Sequence, residues 1–302
     1  MQSVQKLPSF IERNLGNFVI ATLLIVLYRP ILIHWVDGWL NKNISIEHEY
    51  FSHGLIGLPY AAYIIFGQNR QEWQQLANRS HPLGGVLLLL GIICYITGSV
   101  EVVNLSFPII LAGIFLWLKG IAGFKLNGFA LILIFLSTPN SIPYLLTPYT
   151  LPLQTFIANV AGFILMQLGL DVRVDQIYLA VNGRFVEVAP YCAGLKMMFT
   201  SFYVALLLLH WTGNLNNKKR IITLLSGSVI ISIIANIIRN TLLSLFHGYD
   251  NERAFVSLHE GTGGDLYSVL LLLVVVFFNQ MLDKMTTKPE KTTILDTENN
   301  HE

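Results

Sequence analysis

The sequence predicts an all-α polytopic membrane protein with about eight transmembrane helices, an interfacial helix and a small extracytoplasmic β-hairpin. Three observations carry this. Of 302 residues, 53% are hydrophobic and only 12% are charged, about half of the ~25% usual in globular chains. Apolar runs close to the ~20 residues needed to cross a bilayer core recur along the whole length. The few charges sit between these runs in an alternating pattern that the positive-inside rule can read. The formal net charge is +1 and no basic patch is present, so nothing suggests nucleic acid as a partner. Two cysteines, Cys94 and Cys192, cannot build a disulfide framework.

The expected spans are 17–36, 53–67, 83–99, 106–122, 127–143, 193–211, 221–247 and 265–283. The first follows Lys6 and Arg13, is long for a signal peptide and lacks a clear small-x-small cleavage site, so it reads as a retained signal anchor. With that end in the cytoplasm, the connection 37–52, holding Asp37, Glu47 and Glu49 against Lys42, falls outside. The loop 68–82 with Arg70 and Arg79 falls inside, the turn 100–105 with Glu101 outside, and Lys119 and Lys125 inside. The segment after Asn140 is then outside.

A ninth apolar stretch, 153–170, is interrupted by Gln154, Asn159, Gly162, Gln167 and Gly169. Were it to span, Lys218-Lys219-Arg220 and the tail lysines Lys284, Lys288 and Lys291 would fall outside. Placed at the interface or re-entering, it leaves both clusters inside, with both termini in the cytoplasm. Residues 1–286 then read as a single transmembrane domain and 287–302 as a polar, disordered cytoplasmic tail. Cys94, in the middle of an apolar run, reads as core.

Within 171–190, Asn182-Gly183 separates two β-prone runs, the strongest short hairpin signal. Such a hairpin has to sit outside the membrane or on protein. It ends at Ala189-Pro190 and delivers Tyr191 and Cys192 to the head of the next helix, where a helix N-terminus favours a thiolate. Arg239 lies in an otherwise apolar span, where a guanidinium costs about 2.5–3.5 kcal/mol. Asn236, three residues earlier, shares its helix face. His259 lies in the Gly-rich loop 248–264. By the charge count Cys192, Arg239 and His259 reach similar depth on the non-cytoplasmic side. Cysteine, arginine and histidine are the parts of a thiol acyl-transferase. His259-Glu260 invites a zinc reading, but position 263, where the second histidine would stand, is Gly, so the metalloprotease motif fails. His53 opens the second span as a site-lining residue or an interfacial anchor. Arg29 is a second intramembrane cation, with Glu101 as its suggested partner.

These residues, in this order, resemble the exosortase/archaeosortase family of integral-membrane cysteine transpeptidases, and the departures resemble a cyanobacterial branch of it. The similarity runs from Tyr50 to about Leu273. Its blocks are Tyr50-Phe51-Ser52-His53-Gly54, Pro152-Leu153-Gln154 with Gly169, Val188 to Leu195 around Cys192, Asn236-Ile237-Ile238-Arg239, and His259-Glu260. The resemblance implies Cys192 as nucleophile, completed by Arg239 and His259, with His53 and Asn236 binding substrate. It implies no metal or organic cofactor. The implied partners are membrane-anchored proteins with a C-terminal sorting signal (a Pro-Glu-Pro-like motif, a transmembrane helix and a basic tail) and a lipid or glycan acceptor. The implied location is the inner (cytoplasmic) membrane, with the site facing outward. Ala193 stands where the family commonly has Ser, Pro190-Tyr191 is unusual, and Gly261-Thr262-Gly263-Gly264 replaces an aromatic-rich sequence. Other classes stay open: an anion transporter using Arg29, Arg239 and His53, a non-catalytic component of polysaccharide export, or a protease that hydrolyses without transfer.

Overall fold

The structure is a computed structural model describing residues 9–40, 50–189, 194–259 and 261–286. It is mostly helical and divides into two compact units, residues 1–146 and 147–302.

In the first unit, α1 (Ser9–Leu40) is tied to α5 (Val100–Leu126) by polar contacts. The Tyr28 hydroxyl lies 2.7 Å from Ser106 Oγ, and Trp35 Nε1 donates to Asn104 Oδ1 at 2.8 Å. Both partners are buried, as polar groups at this depth need to be satisfied inside the protein. Between them run α2 (Gly54–Tyr63), prolonged by a π-turn at Ile64–Gln68, then α3 (Arg70–Gln75) and α4 (Pro82–Ile96). Pro82 occupies the first turn of α4, where its missing N–H costs nothing. Helix α5 is kinked at Gly120. Helix α6 (Gly128–Ser137) and the short α7 (Ile142–Leu146) complete the unit. The expected span 127–143 is broken because Thr138 leaves the helical region ahead of Pro139, a conformation proline imposes on its predecessor. Glu101 accepts a hydrogen bond from Ser141, while Arg29 is exposed on α1. The suggested Arg29–Glu101 pair is therefore not formed.

In the second unit, a 3-10 turn (Thr147–Thr150) leads into α8 (Leu151–Gln167). Strands β1 (Val172–Asp175), β2 (Tyr178–Val181) and β3 (Arg184–Glu187) form an antiparallel sheet with β2 in the centre. Helices α9 (Leu195–Trp211), α10 (Lys218–Gly248), α11 (Glu252–His259) and α12 (Thr262–Thr286) follow. The register pairs Val172 with Val181 and Val181 with Arg184. Asn182 and Gly183 both have positive φ, 50° and 80°, as a two-residue type I′ turn requires.

The expected hairpin is thus a three-stranded meander. Val172 and Val174 alternate with Arg173 and Asp175, a strand pattern, but the turn at Gln176-Ile177 carries no Gly or Asn to announce it. The inner face of the sheet packs Leu179, Val181 and Val188 on Ile157, Ala158, Ala161 and Leu165 of α8, all fully buried. Asn182 Nδ2 donates to Gly248 O at 3.4 Å, and Arg184 pairs with Asp250 at 2.5 Å, anchoring the turn to the end of α10.

Among the described residues, five helical stretches are long and apolar enough to cross a membrane: Phe18–Leu40, Val100–Leu126, Thr147–Gln167, Lys218–Gly248 and Thr262–Met285. Four other expected spans form shorter apolar helices, Gly54–Gln68, Pro82–Ile96, Gly128–Ser137 and Leu195–Trp211. The count of eight full spans is therefore not reproduced. The stretch expected at the interface is one of the long five. Of the residues that interrupt it, Gln154 and Gly162 are buried against the sheet and core, while Asn159, Gln167 and Gly169 are exposed. The tail 287–302 lies outside the described residues.

Candidate functional site

The described stretches that flank Cys192 in sequence, up to Ala189 and from Gly194, are each held by contacts with other elements. Ahead of Cys192, Gln154 is 3% exposed and its Nε2 donates to Val188 O at 2.8 Å. Val188 N donates to Ile177 O at 2.8 Å, which continues the β2–β3 ladder past Glu187. Pro190, Tyr191, Cys192 and Ala193 lie outside the described residues.

Gly194 is the N-cap of α9, in the left-handed region at φ 84°. A Cβ there would lie 2.6 Å from Asn236 Cγ and 2.8 Å from Asn236 Nδ2. Glycine is therefore demanded twice, by backbone conformation and by the approach of the Asn236 amide.

Asn236 is 1% exposed on α10. Asn240 Nδ2 donates to Asn236 O at 2.9 Å and to Asn236 Oδ1 at 3.3 Å. The second contact fixes the orientation of the amide and leaves Nδ2 on the Gly194 side. Among the described residues that buried Nδ2 has no hydrogen-bond partner.

Arg239 follows three residues later. Its Nη2 donates to the carbonyl of His259 at 3.0 Å and to that of Leu258 at 3.3 Å. These carbonyls end α11, so the guanidinium meets the negative end of that helix's dipole. Arg239 Nε is buried and has no partner among the described residues. Tyr267 of α12 donates its hydroxyl to Ala235 O at 2.6 Å, one helical turn from Arg239.

His259 stands at the end of a helix, not in a loop. Residues 252–259 contain no Gly or Pro, and Asn251 Oδ1 accepts from Ala254 N at 3.2 Å to start the turn. The His259 ring stacks on Phe255 with centroids 5.4 Å apart and planes 10° from parallel. After His259 the chain doubles back so tightly that a Cβ on Gly264 would lie 2.8 Å from Leu258 O, one of the two carbonyls Arg239 holds.

The structure thus brings Asn236, Arg239 and His259 together around α10. His53 belongs to the first unit. It is buried at the N-cap of α2, with Nε2 3.0 Å from Leu136 O at the end of α6. Among the described residues, no group of three His, Cys, Asp or Glu side chains is placed to hold a metal.

Two contributors escaped the sequence reading. Gln154 stood out only as an interruption in an apolar stretch and as part of a motif block, and its bond to Val188 O spans 34 residues. Tyr267 carries no local signal, since an aromatic near the head of a span reads as an ordinary membrane-interface residue.

Chemically the arrangement offers a cation and an imidazole at one helix end, and an open amide donor beside the N-terminus of α9. No curated protein and no solved structure matches the chain. A family model described as transmembrane exosortase matches residues 39–276, which includes every residue of this site. The chain is a multi-pass membrane protein and belongs to the transmembrane exosortase family, a family of membrane transpeptidases and proteases.

Proposed function

We propose that this protein is a cysteine transpeptidase in which Cys192 is the nucleophile and Arg239 and His259 complete the catalytic group. The observation that carries the reading is the junction of α9, α10 and α11. Arg239 reaches the end of α11 at His259, while Asn236, on the same helix, packs on Gly194, two residues beyond Cys192. Cys192 attacks the carbonyl beside the sorting motif, and His259 takes the thiol proton and returns it to the leaving amine. The resulting thioacyl enzyme is resolved by a lipid or glycan amine or hydroxyl, or by water.

The substrates are membrane-anchored proteins ending in a Pro-Glu-Pro-like motif, a transmembrane helix and a basic tail. The tail stays in the cytoplasm by the positive-inside rule, which puts the scissile bond at the outer face of the cytoplasmic membrane. His53 and Asn236 contribute to substrate binding.

The test is a reporter protein carrying that C-terminal signal, expressed with wild type or with Cys192→Ala. Wild type should remove the C-terminal helix, and the variant should insert normally and accumulate uncleaved reporter. Normal processing by Cys192→Ala would overturn the assignment. Mass analysis of the new C-terminus separates a free carboxylate from a conjugate.

A further inference from the structure

We infer that Asn236, together with the N-terminus of α9, forms the oxyanion site of this enzyme. The inference rests on Cys192 being the nucleophile.

Three observations support it. Asn236 is 1% exposed, yet its Nδ2 has no hydrogen-bond partner among the described residues. A buried amide donor left open costs about 1–3 kcal/mol, a cost that a donor reserved for a transient anion explains. Its orientation is set, because Oδ1 accepts from Asn240 and Nδ2 is turned to Gly194.

Gly194 is the N-cap of a 17-residue helix whose first intrahelical bond runs from Met198 N to Gly194 O. The positive end of its dipole therefore lies at Gly194. An amide donor and a helix N-terminus meeting two residues from a nucleophile are suited to a developing negative oxygen.

Arg239 is less suited to that task. Its Nη2 is engaged by the carbonyls of Leu258 and His259, which makes it a positioning residue for the histidine.

As the Cys192 sulfur bonds to the substrate carbonyl carbon, the π pair moves onto oxygen, where Asn236 Nδ2 donates to it. On collapse that pair re-forms the C=O bond and the C–N bond breaks. The nitrogen leaves with the proton that His259 took from the thiol.

The test uses the full-length protein in lipid vesicles with a C-terminal-signal reporter that wild type cleaves. Asn236→Leu keeps most of the volume against Gly194, and Asn236→Ala serves as a second variant should the first fold poorly. Both should lower kcat by about 10²–10³-fold with KM little changed, as removal of an oxyanion donor does. In a Cys94→Ala background, the rate of iodoacetamide alkylation of Cys192 should stay at its wild-type value in both. Alkylation uses the same thiolate and the same fold but builds no oxyanion.

Wild-type kcat in a folded Asn236 variant would overturn the inference, as would a loss confined to KM. A fall in alkylation that matched the fall in kcat would also overturn it, by showing action on the thiol or the fold. These outcomes leave the nucleophile assignment standing; processing by Cys192→Ala is what removes that.

Discussion

Arg239 of α10 donates through Nη2 to the carbonyl oxygen of His259, 3.0 Å away, across a separation of 20 residues. The same nitrogen reaches Leu258 O at 3.3 Å, so one side chain closes the last turn of α11. Nη2 holds both carbonyls from the end of a planar, weakly hydrated guanidinium whose Nε is itself buried, and the strongly hydrated point charge of lysine is a poor substitute there. Arg239→Lys, like Arg239→Ala and Arg239→Gln, should abolish reporter processing. Each should also lose about 1.5–3 kcal/mol of stability, the worth of hydrogen bonds to a charged donor. Processing assays and thermal melting in detergent check this, and full activity in Arg239→Ala would leave only an interfacial anchor.

Gly194 and Gly169 share the same left-handed φ, 84°, but differ in surroundings. A Cβ at Gly194 would strike the Asn236 amide, whereas nothing lies within 4 Å of one at Gly169. Gly169→Ala should therefore cost about 1 kcal/mol, from backbone strain alone. Gly194→Ala should cost more and should also lower processing per folded molecule. Equal melting temperatures and equal activities for the pair would contradict this.

Gln154 links α8 to the end of the sheet through Val188 O. Gln154→Glu removes the donor and sets a carboxylate against a buried carbonyl. The unsatisfied acceptor costs about 1–3 kcal/mol. The variant should melt lower and process the reporter more slowly than wild type, with a smaller loss in Gln154→Ala, which leaves room without adding charge. A Gln154→Glu variant as stable as wild type would show that this bond does not hold the segment.

Arg220 is a separate matter of stability. It is 6% exposed, and its Nη2 donates to Asn279 O at 2.6 Å, Asn279 Oδ1 at 2.7 Å and Asp283 Oδ1 at 2.7 Å. This joins the start of α10 to the end of α12. Arg220→Ala should cost about 1.5–3 kcal/mol, the worth of hydrogen bonds to a charged donor, since the carboxylate it leaves on Asp283 is 44% exposed, while processing per folded molecule stays near wild type. A melting curve paired with activity normalised to folded protein checks both halves.

Much of the second unit was legible from short-range pattern. Asn182-Gly183 announced its turn, and the one-face spacing of Asn236 and Arg239 followed from helical periodicity. The helical nature of each apolar stretch followed from composition. What failed was of another kind. Asn251 caps a helix that the glycines after His259 disguised as loop, and Gln176-Ile177 turns the chain without a turn residue of ordinary type. Thr138 ends α6 early because of Pro139. His53, read as site-lining or interfacial, gave no local sign that its ring would meet the Leu136 carbonyl 83 residues away.

The sequence alone determined the membrane class, the order of Cys192, Asn236, Arg239 and His259, and the glycine ahead of α9. Those follow from hydropathy and from short blocks of residues in order, each read over a few residues. The tertiary structure alone decided that Arg239 spends Nη2 on the carbonyls of α11, that Asn236 turns an open donor to Gly194, and that Gln154 holds Val188. These contacts join residues 19 to 42 positions apart, and their partners are chosen by how the elements pack, which no local pattern encodes.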